Sequence, residues 1–413
     1  MSPRQRLSHI FAPSAGILAG LIISVLFGCS NNVNDPATPG ITSADAFGSL
    51  AKDGFSSTSQ VNLVSDIGSF GATRIDSSLQ NAWGIALNPN GIVWIAANHT
   101  GVSVVYDSNG NALRAPVAIP SEGNPSGGGA PTGVVFNATA GFVIPSTGQV
   151  SKFIFSSEDG IISAWASGSA AINVADRSSS EAVYKGLAMA SDGGQNFLYA
   201  TNFKGGAVDV FDEHFQLVST KPFNDPSIPS GFAPFNIQNI DGKLFVTYAK
   251  QKGPDNEDDQ AGLGNGYVDI FSTGGMLLER FASRGMLNSP WGIAQVPDGG
   301  SDKLKDAILI GNFGDGKINV FDKHGSFRGQ LSDGHHTLMI PGLWALVFQH
   351  SGMMMSSGGD GHRHDGREGD NDDHDRDGHD NGNGHPAPLP RLFFTAGPND
   401  ESDGLFGVLQ VKR

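Results

Sequence analysis

Three groups of residues in this 413-residue sequence carry side chains able to do chemistry. The densest lies at 351–387, where His362, His364, His374, His379 and His385 are interleaved with carboxylates. Imidazole beside carboxylate is a donor set for Zn²⁺, Ni²⁺ or Cu²⁺. Asp373-x-Asp375-x-Asp377-Gly378 also spells the start of a Ca²⁺ loop. The position that should hold a bidentate Glu is Gly384, which argues against a calcium-binding hand. His362, His364, His374, Asp373, Asp375, Asp377 and His379 are therefore the candidate ligands of a weak, unselective divalent-metal site (Ca²⁺, Zn²⁺ or Ni²⁺). A solvated spacer is the alternative. Ser356 to Pro386 holds nine acids against three Arg, a composition that cannot bury apolar area and reads as a disordered insert.

The second group is dispersed: Asn81, Trp83, Asn98, Thr132, Glu158, Lys185, Asn202, Asn236, Trp291, Asn312, Trp344 and Asn399. These amides, charges and indoles become a site only if the fold brings them together. The third is a single Cys, Cys29, which ends the apolar run Ala15–Phe27. One Cys excludes a disulfide framework. Catalytic signatures are missing: the chain has no Gly-x-Ser-x-Gly, no His-Glu-x-x-His and no Cys-x-x-Cys. Gly311 to Lys317 matches seven positions of a phosphate loop, but the eighth is Ile318, and Ile318-Asn319-Val320-Phe321 reads as a strand where a helix is required.

The elements that must position these residues are repeats. A short apolar strand recurs as Ala82-Trp83-Gly84-Ile85, Pro131-Thr132-Gly133-Val134, Tyr184-Lys185-Gly186-Leu187, Pro234-Phe235-Asn236-Ile237, Pro290-Trp291-Gly292-Ile293 and Leu343-Trp344-Ala345-Leu346. Equivalent positions fall at 84, 133, 186, 236, 292 and 345. Later in each unit a strand is led by Gly, at 101, 160, 206, 266, 316 and 404. Five residues on come Tyr106, Trp165, Phe211, Phe271, Phe321 and Leu409. Gly at these points suits a turn, and the large apolar residue suits a face packed between sheets. About 50 residues of strand and turn per unit is the period of a propeller blade. The chain reads as an all-β, six-bladed β-propeller over 61–413. Val61-Asn62-Leu63-Val64 supplies the outer strand missing from the last blade and closes the ring.

Phrases such as Asn202-Phe203-Lys204-Gly205-Gly206 and Asn312-Phe313-Gly314-Asp315-Gly316 make the chain resemble NHL-repeat and SMP-30-like propellers. More closely, 61–349 and 391–409 resemble an uncharacterised family of exported bacterial propellers. Its phrases stand here as Asn62-Leu63-Val64-Ser65-Asp66, Pro234-Phe235-Asn236-Ile237-Gln238, Asn288-Ser289-Pro290-Trp291-Gly292 and Phe394-Thr395-Ala396-Gly397-Pro398-Asn399. That resemblance implies the fold and export, and no established activity. Arg4, Arg6, the apolar run and Leu26-Phe27-Gly28-Cys29 resemble a bacterial lipoprotein signal over 1–29, with a lipobox ending at Cys29. Phe27 is bulkier than the pattern prefers, and a secretory signal cut elsewhere is the alternative. Ser30 after the Cys implies sorting to the outer membrane. Residues 30–60 then read as a flexible tether.

A propeller gathers the loops entering its first strands, and those joining second to third strands, on one face. The twelve dispersed residues are expected there, as candidate ligand contacts or as turn caps and core wedges. The resemblance to six-bladed propellers brings in lactonase-like hydrolases that hold a divalent cation on the axis. The six first strands here contain no Asp or Glu, and Lys185 would repel such an ion. Glu158 and Asp315 could reach in from loops. Three readings stand: a lipid-anchored binding or interaction module for a small molecule, glycan or protein; a metal-dependent hydrolase; and a scaffold whose insert sequesters metal. No cofactor is firmly implied, and a monomer touching membrane only through its anchor is expected. The net charge of −15, which becomes −17 without Arg4 and Arg6, disfavours nucleic acid.

Overall fold

The computed structural model describes residues 58–297, 304–349 and 391–411, all within the compact unit Phe47–Arg413. Cys29 and the metal-ligand candidates of the 351–387 insert lie outside the described residues. Among those described there is no α-helix, only strands and two short 3₁₀ turns.

The strands form six blades in chain order, each built on four antiparallel strands; the sheet of the sixth carries a short fifth strand, Arg74–Ile75, parallel to Thr58–Ser65. The first contains Ala82–Leu87, Val93–Ala97, Val102–Tyr106 and Val117–Ala118, and the second Pro131–Phe136, Phe153–Ser157, Ile161–Trp165 and Ile172–Asp176. The third contains Tyr184–Asp192, Gln195–Asn202, Ala207–Asp212 and Leu217–Val218. Phe232–Ile240, Lys243–Lys250, Gly266–Ser272 and Leu277–Ser283 make the fourth, and Pro290–Gln295, Ile308–Asn312, Ile318–Phe321 and Phe327–Gln330 the fifth. The sixth takes Leu343–Phe348, Leu392–Ala396 and Leu405–Val411 from the end of the chain and Thr58–Ser65 from its start. Thr58 lies opposite Val411 and Ser65 opposite Leu405, so the expected closing strand is present. It begins at Thr58, three residues inside the expected tether, because Ser59 and Gln60 are already paired in the ladder.

Six apolar clusters hold the blades together, one at each junction. The third-strand aromatics Tyr106, Trp165, Phe211, Phe271 and Phe321 are all buried there. Four of the glycines leading those strands (101, 160, 206 and 316) have φ between 65° and 75°. Gly404 does not, and is small for another reason: a Cβ there would run into the Leu79 carbonyl.

The repeated Trp-Gly phrase has a structural cause. In each blade the register between first and second strands shifts at that phrase, for example between Ala82 and Ile85 and between Pro290 and Gly292. Such a bulge bends the strand and re-aims its side chains. Here it brings each first strand hard against the next. A Cβ on Gly84 would collide with the Thr132 carbonyl of the second blade, and one on Gly292 would lie 2.7 Å from the Trp344 carbonyl. Where no glycine stands, a polar side chain makes the joint. Asn236 Nδ2 donates to the Trp291 carbonyl at 2.8 Å, and Thr395 Oγ1 donates to that of Trp83.

Gly84→Ala is expected to cost about 1–3 kcal/mol through overpacking against backbone that cannot yield. Gly68→Ala, with nothing within 4 Å of its Cβ, is the matched control and should be near neutral. Urea unfolding of both variants checks this, and equal stabilities would contradict the close-approach explanation.

Candidate functional site

The bulged first strands aim large rings at the propeller axis. Trp83, Trp291, Trp344, Phe203 and Phe235 form a buried cluster there, with Phe313 packed against it. Three of these rings are stacked. Trp83 and Trp344 have centroids 3.7 Å apart at 14°, and Phe313 and Trp344 3.9 Å apart at 17°. Two rings that close to one indole must lie on its opposite faces, so Trp344 is sandwiched. Lys185 Nζ stands over the Trp83 ring, 5.2 Å from its centroid. The result is a column of Lys185, Trp83, Trp344 and Phe313, drawn from the third, first, sixth and fifth blades. Stacked pairs contribute about 0.5–1.5 kcal/mol beyond their burial, and a desolvated ammonium on a ring about 2.

The other indoles are held by hydrogen bonds. Trp344 Nε1 donates to Asn81 Oδ1 at 2.9 Å, and Trp291 Nε1 to the Lys185 carbonyl at 3.0 Å. Trp83 Nε1 is buried without a hydrogen-bond partner among the described residues. Beneath the rings the axis narrows to a cavity of about 40 Å³, with Asn236 and Gln238 in its wall.

A polar network rests on the rings. Lys185 is 3% exposed, and its ammonium meets Glu158 Oε1 at 2.5 Å and Asp258 Oδ1 at 3.5 Å. Burial alone would depress this ammonium, but Glu158 and Asp258 outweigh it and hold it above the ordinary lysine value. Glu158 accepts a second bond from Asn98 Nδ2 at 3.0 Å. Asn81 Nδ2 reaches both Asn98 Oδ1, at 3.4 Å, and Glu401 Oε2, at 2.7 Å. The chain Glu401–Asn81–Asn98–Glu158–Lys185 thus joins four blades. Burial pushes the Glu401 carboxyl up to about 7, although Lys185 opposes the shift. Its backbone is unusual too: Asn399, Asp400 and Glu401 are successive residues in the left-handed region, with φ of 55°, 52° and 66°. Asn and Asp tolerate that region, whereas Glu does so at some cost.

Glu401 forms the inner wall of a cleft of about 640 Å³ on the loop face. The long excursion of the fourth blade lies on one side, contributing Lys252, Asp258 and Asp259. The 313–316 turn of the fifth blade and the 397–401 turn of the sixth complete it. Burial also raises the Asp259 carboxyl. Among the described residues, no three His, Cys, Asp or Glu side chains converge as a metal-ligand set.

The twelve residues singled out in the sequence separate into distinct places. Asn81, Asn98, Glu158 and Lys185 form the network, and Trp83, Trp291 and Trp344 the ring cluster. Asn399 lines the cleft. Thr132 donates to the Tyr184 carbonyl at 2.8 Å, so it joins second and third blades as Asn236 joins fourth and fifth. Asn202 accepts from Val183 and Gly205 amides, and Asn312 accepts from the Asn288 amide and donates to the Met286 carbonyl. Glu401, Asp258, Asp259 and Phe313 were not singled out. Phe313 and Glu401 follow Asn312 and Asn399 closely. The signal for Asp258 and Asp259 was the acidic run Glu257-Asp258-Asp259 within the longest link between second and third strands.

Glu401 gives stability a pH dependence of definite sign. Between its ordinary 4.5 and about 7, the unfolded chain has lost the proton that the folded chain keeps. Its contribution therefore falls as pH rises through that window. Glu401→Gln keeps an acceptor for Asn81 and removes the titration. The variant's melting temperature should drop less than the parent's between pH 5 and 8, and identical slopes would assign the shifted titration to another group.

No family model matches this chain. It is 34% identical over 276 residues to uncharacterised protein L690 of Acanthamoeba polyphaga mimivirus, covering 63% of this chain and 70% of that protein. Uncharacterised protein R648 of the same virus is 34% identical over 293 residues, with coverages of 67% and 70%. Among solved structures, virginiamycin B lyase from Staphylococcus aureus aligns over 86% of this chain and 99% of its own, at 11% identity and a TM-score of 0.45. A Bacteroides thetaiotaomicron protein of unknown function aligns over 81% and 70%, at 10% identity and 0.48. At these scores neither activity nor ligand transfers. The relatives correct the expectation of a bacterial family, because these members are viral. The chain belongs to the family of the uncharacterised mimivirus proteins L690 and R648.

Proposed function

We propose that this propeller is a rigid binding module that takes a small molecule, or one side chain of a larger partner, in the cleft on its loop face. The observation that carries this reading is the cleft itself. Three blades bound it beside the axis, and its volume of about 640 Å³ falls within the roughly 300–1,000 Å³ of small-molecule sites. Its inner wall is anchored by Glu401 through Asn81 to the buried network, so the site is preorganised rather than assembled on binding. A hydrolase with a metal on the axis has less support, because the first strands bring rings and a lysine there instead of carboxylates.

The module is tethered, in this reading, through lipid on Cys29. Support for the tether comes from the residues of 1–29: two arginines, an apolar run and a lone Cys after Leu-Phe-Gly. Cys29→Ala should move the protein from the membrane to the soluble fraction. A variant that still sediments with membranes would end the lipid assignment.

For the cleft, the full chain is screened by calorimetry against small cationic, neutral and anionic compounds beside Ala261→Trp, which places an indole in the cleft wall. Binding that Ala261→Trp abolishes is the expected result. A screen in which every hit binds parent and variant equally would overturn the reading.

A further inference from the structure

The stacked column has two ends of different character. At one, the Lys185 ammonium covers the outer face of Trp83. At the other, Phe313 has one face on Trp344 and is itself part of the cleft wall. Ring faces carry negative potential and attract cations, most strongly where water is excluded. The molecule therefore already contains one example of what caps this column: an ammonium resting on a ring and held by carboxylates.

The cleft repeats those components without the ammonium. Phe313 is half-buried at its inner end. Asp258, Asp259, Asp315, Asp400 and Glu401 line it against the single cation Lys252. Asp315 is already engaged by Lys317 at 3.4 Å and by Asn312 at 3.0 Å, and Asp258 by Lys185. Asp259, Asp400 and Glu401 have no ion-pair partner among the described residues. Met339, 57% exposed, adds an apolar side chain to the same wall. An organic cation satisfies all three features at once: charge for the carboxylates, a soft face for Phe313 and alkyl surface for Met339. A bare metal ion meets the first only.

We infer that the cleft binds organic cations, amines or guanidinium groups, with the charged head on the free face of Phe313 and within reach of Glu401 and Asp400. This rests on the cleft being a ligand site, as proposed above. Such a cation draws a proton off Glu401, which is poised to lose it near neutrality, so binding strengthens as pH rises from 6 to 8.

The experiment is calorimetry on the full chain with 1,4-diaminobutane, 1,4-butanediol as its uncharged isostere, and CaCl₂. The diamine should bind at least about tenfold more tightly than the diol, the scale of one cation–π contact with its carboxylates. Phe313→Leu should weaken the diamine about tenfold, while Phe313→Tyr restores it. Asp400→Asn, on an exposed residue, tests the charge independently if Phe313→Leu perturbs the fold. Cleft-dependent binding of the diol equal to the diamine, or Ca²⁺ binding where the diamine fails, overturns the inference and leaves the ligand-site reading standing. No cleft-dependent binding by any probe, together with a null screen, overturns both.

Discussion

Six first strands meet around an axis so narrow that, at Gly84 and Gly292, a Cβ would strike the neighbouring backbone. Much of the rest follows from that crowding. The bulge that allows the approach turns the residue beside each glycine inward, and where that residue is Trp the axis fills with indole. Filling the axis with rings leaves a cavity of about 40 Å³ beneath them. It also creates a hard apolar floor, above which polar groups must satisfy one another.

They do so around one buried cation. A lysine that is 3% exposed survives folding only if paired, and Glu158 and Asp258 supply the pairing from loops of two different blades. The same lysine caps the ring stack. Displacing it would break the Glu158–Lys185 ion pair and uncover Trp83 together. The charge network and the stack are thus one mechanical unit, which reaches the cleft at Phe313, Asp258 and Glu401.

Much of the architecture was legible in the sequence because a propeller is built from local repeats. The first strands, the Gly-led third strands and the closing strand near Val61–Val64 each left a short pattern, and the strand reading of Ile318–Phe321 disposed of the phosphate-loop match. The cleft was only partly legible, because its partners are far apart in the chain. Asn81 and Glu401 are 320 positions apart, yet their side chains bond. Nothing local separates Asn98, which joins the network, from Asn312, which satisfies backbone groups around its turn, since both are Asn where a second strand ends. The residues that set the character of the cleft, Asp258, Asp259 and Glu401, sit in loops where the repeat is broken. A search by equivalent positions passes over them.

The relatives in this family leave the ligand open, so the decisive observation is where a ligand sits. A crystal structure of the full chain grown with 1,4-diaminobutane addresses it directly. Cation binding on the column predicts density for an ammonium over the free face of Phe313, between Glu401 and Asp400. Density only at another place, such as the cavity lined by Gln238 and Gln295 or the one lined by Asp192 and Lys221, would contradict it.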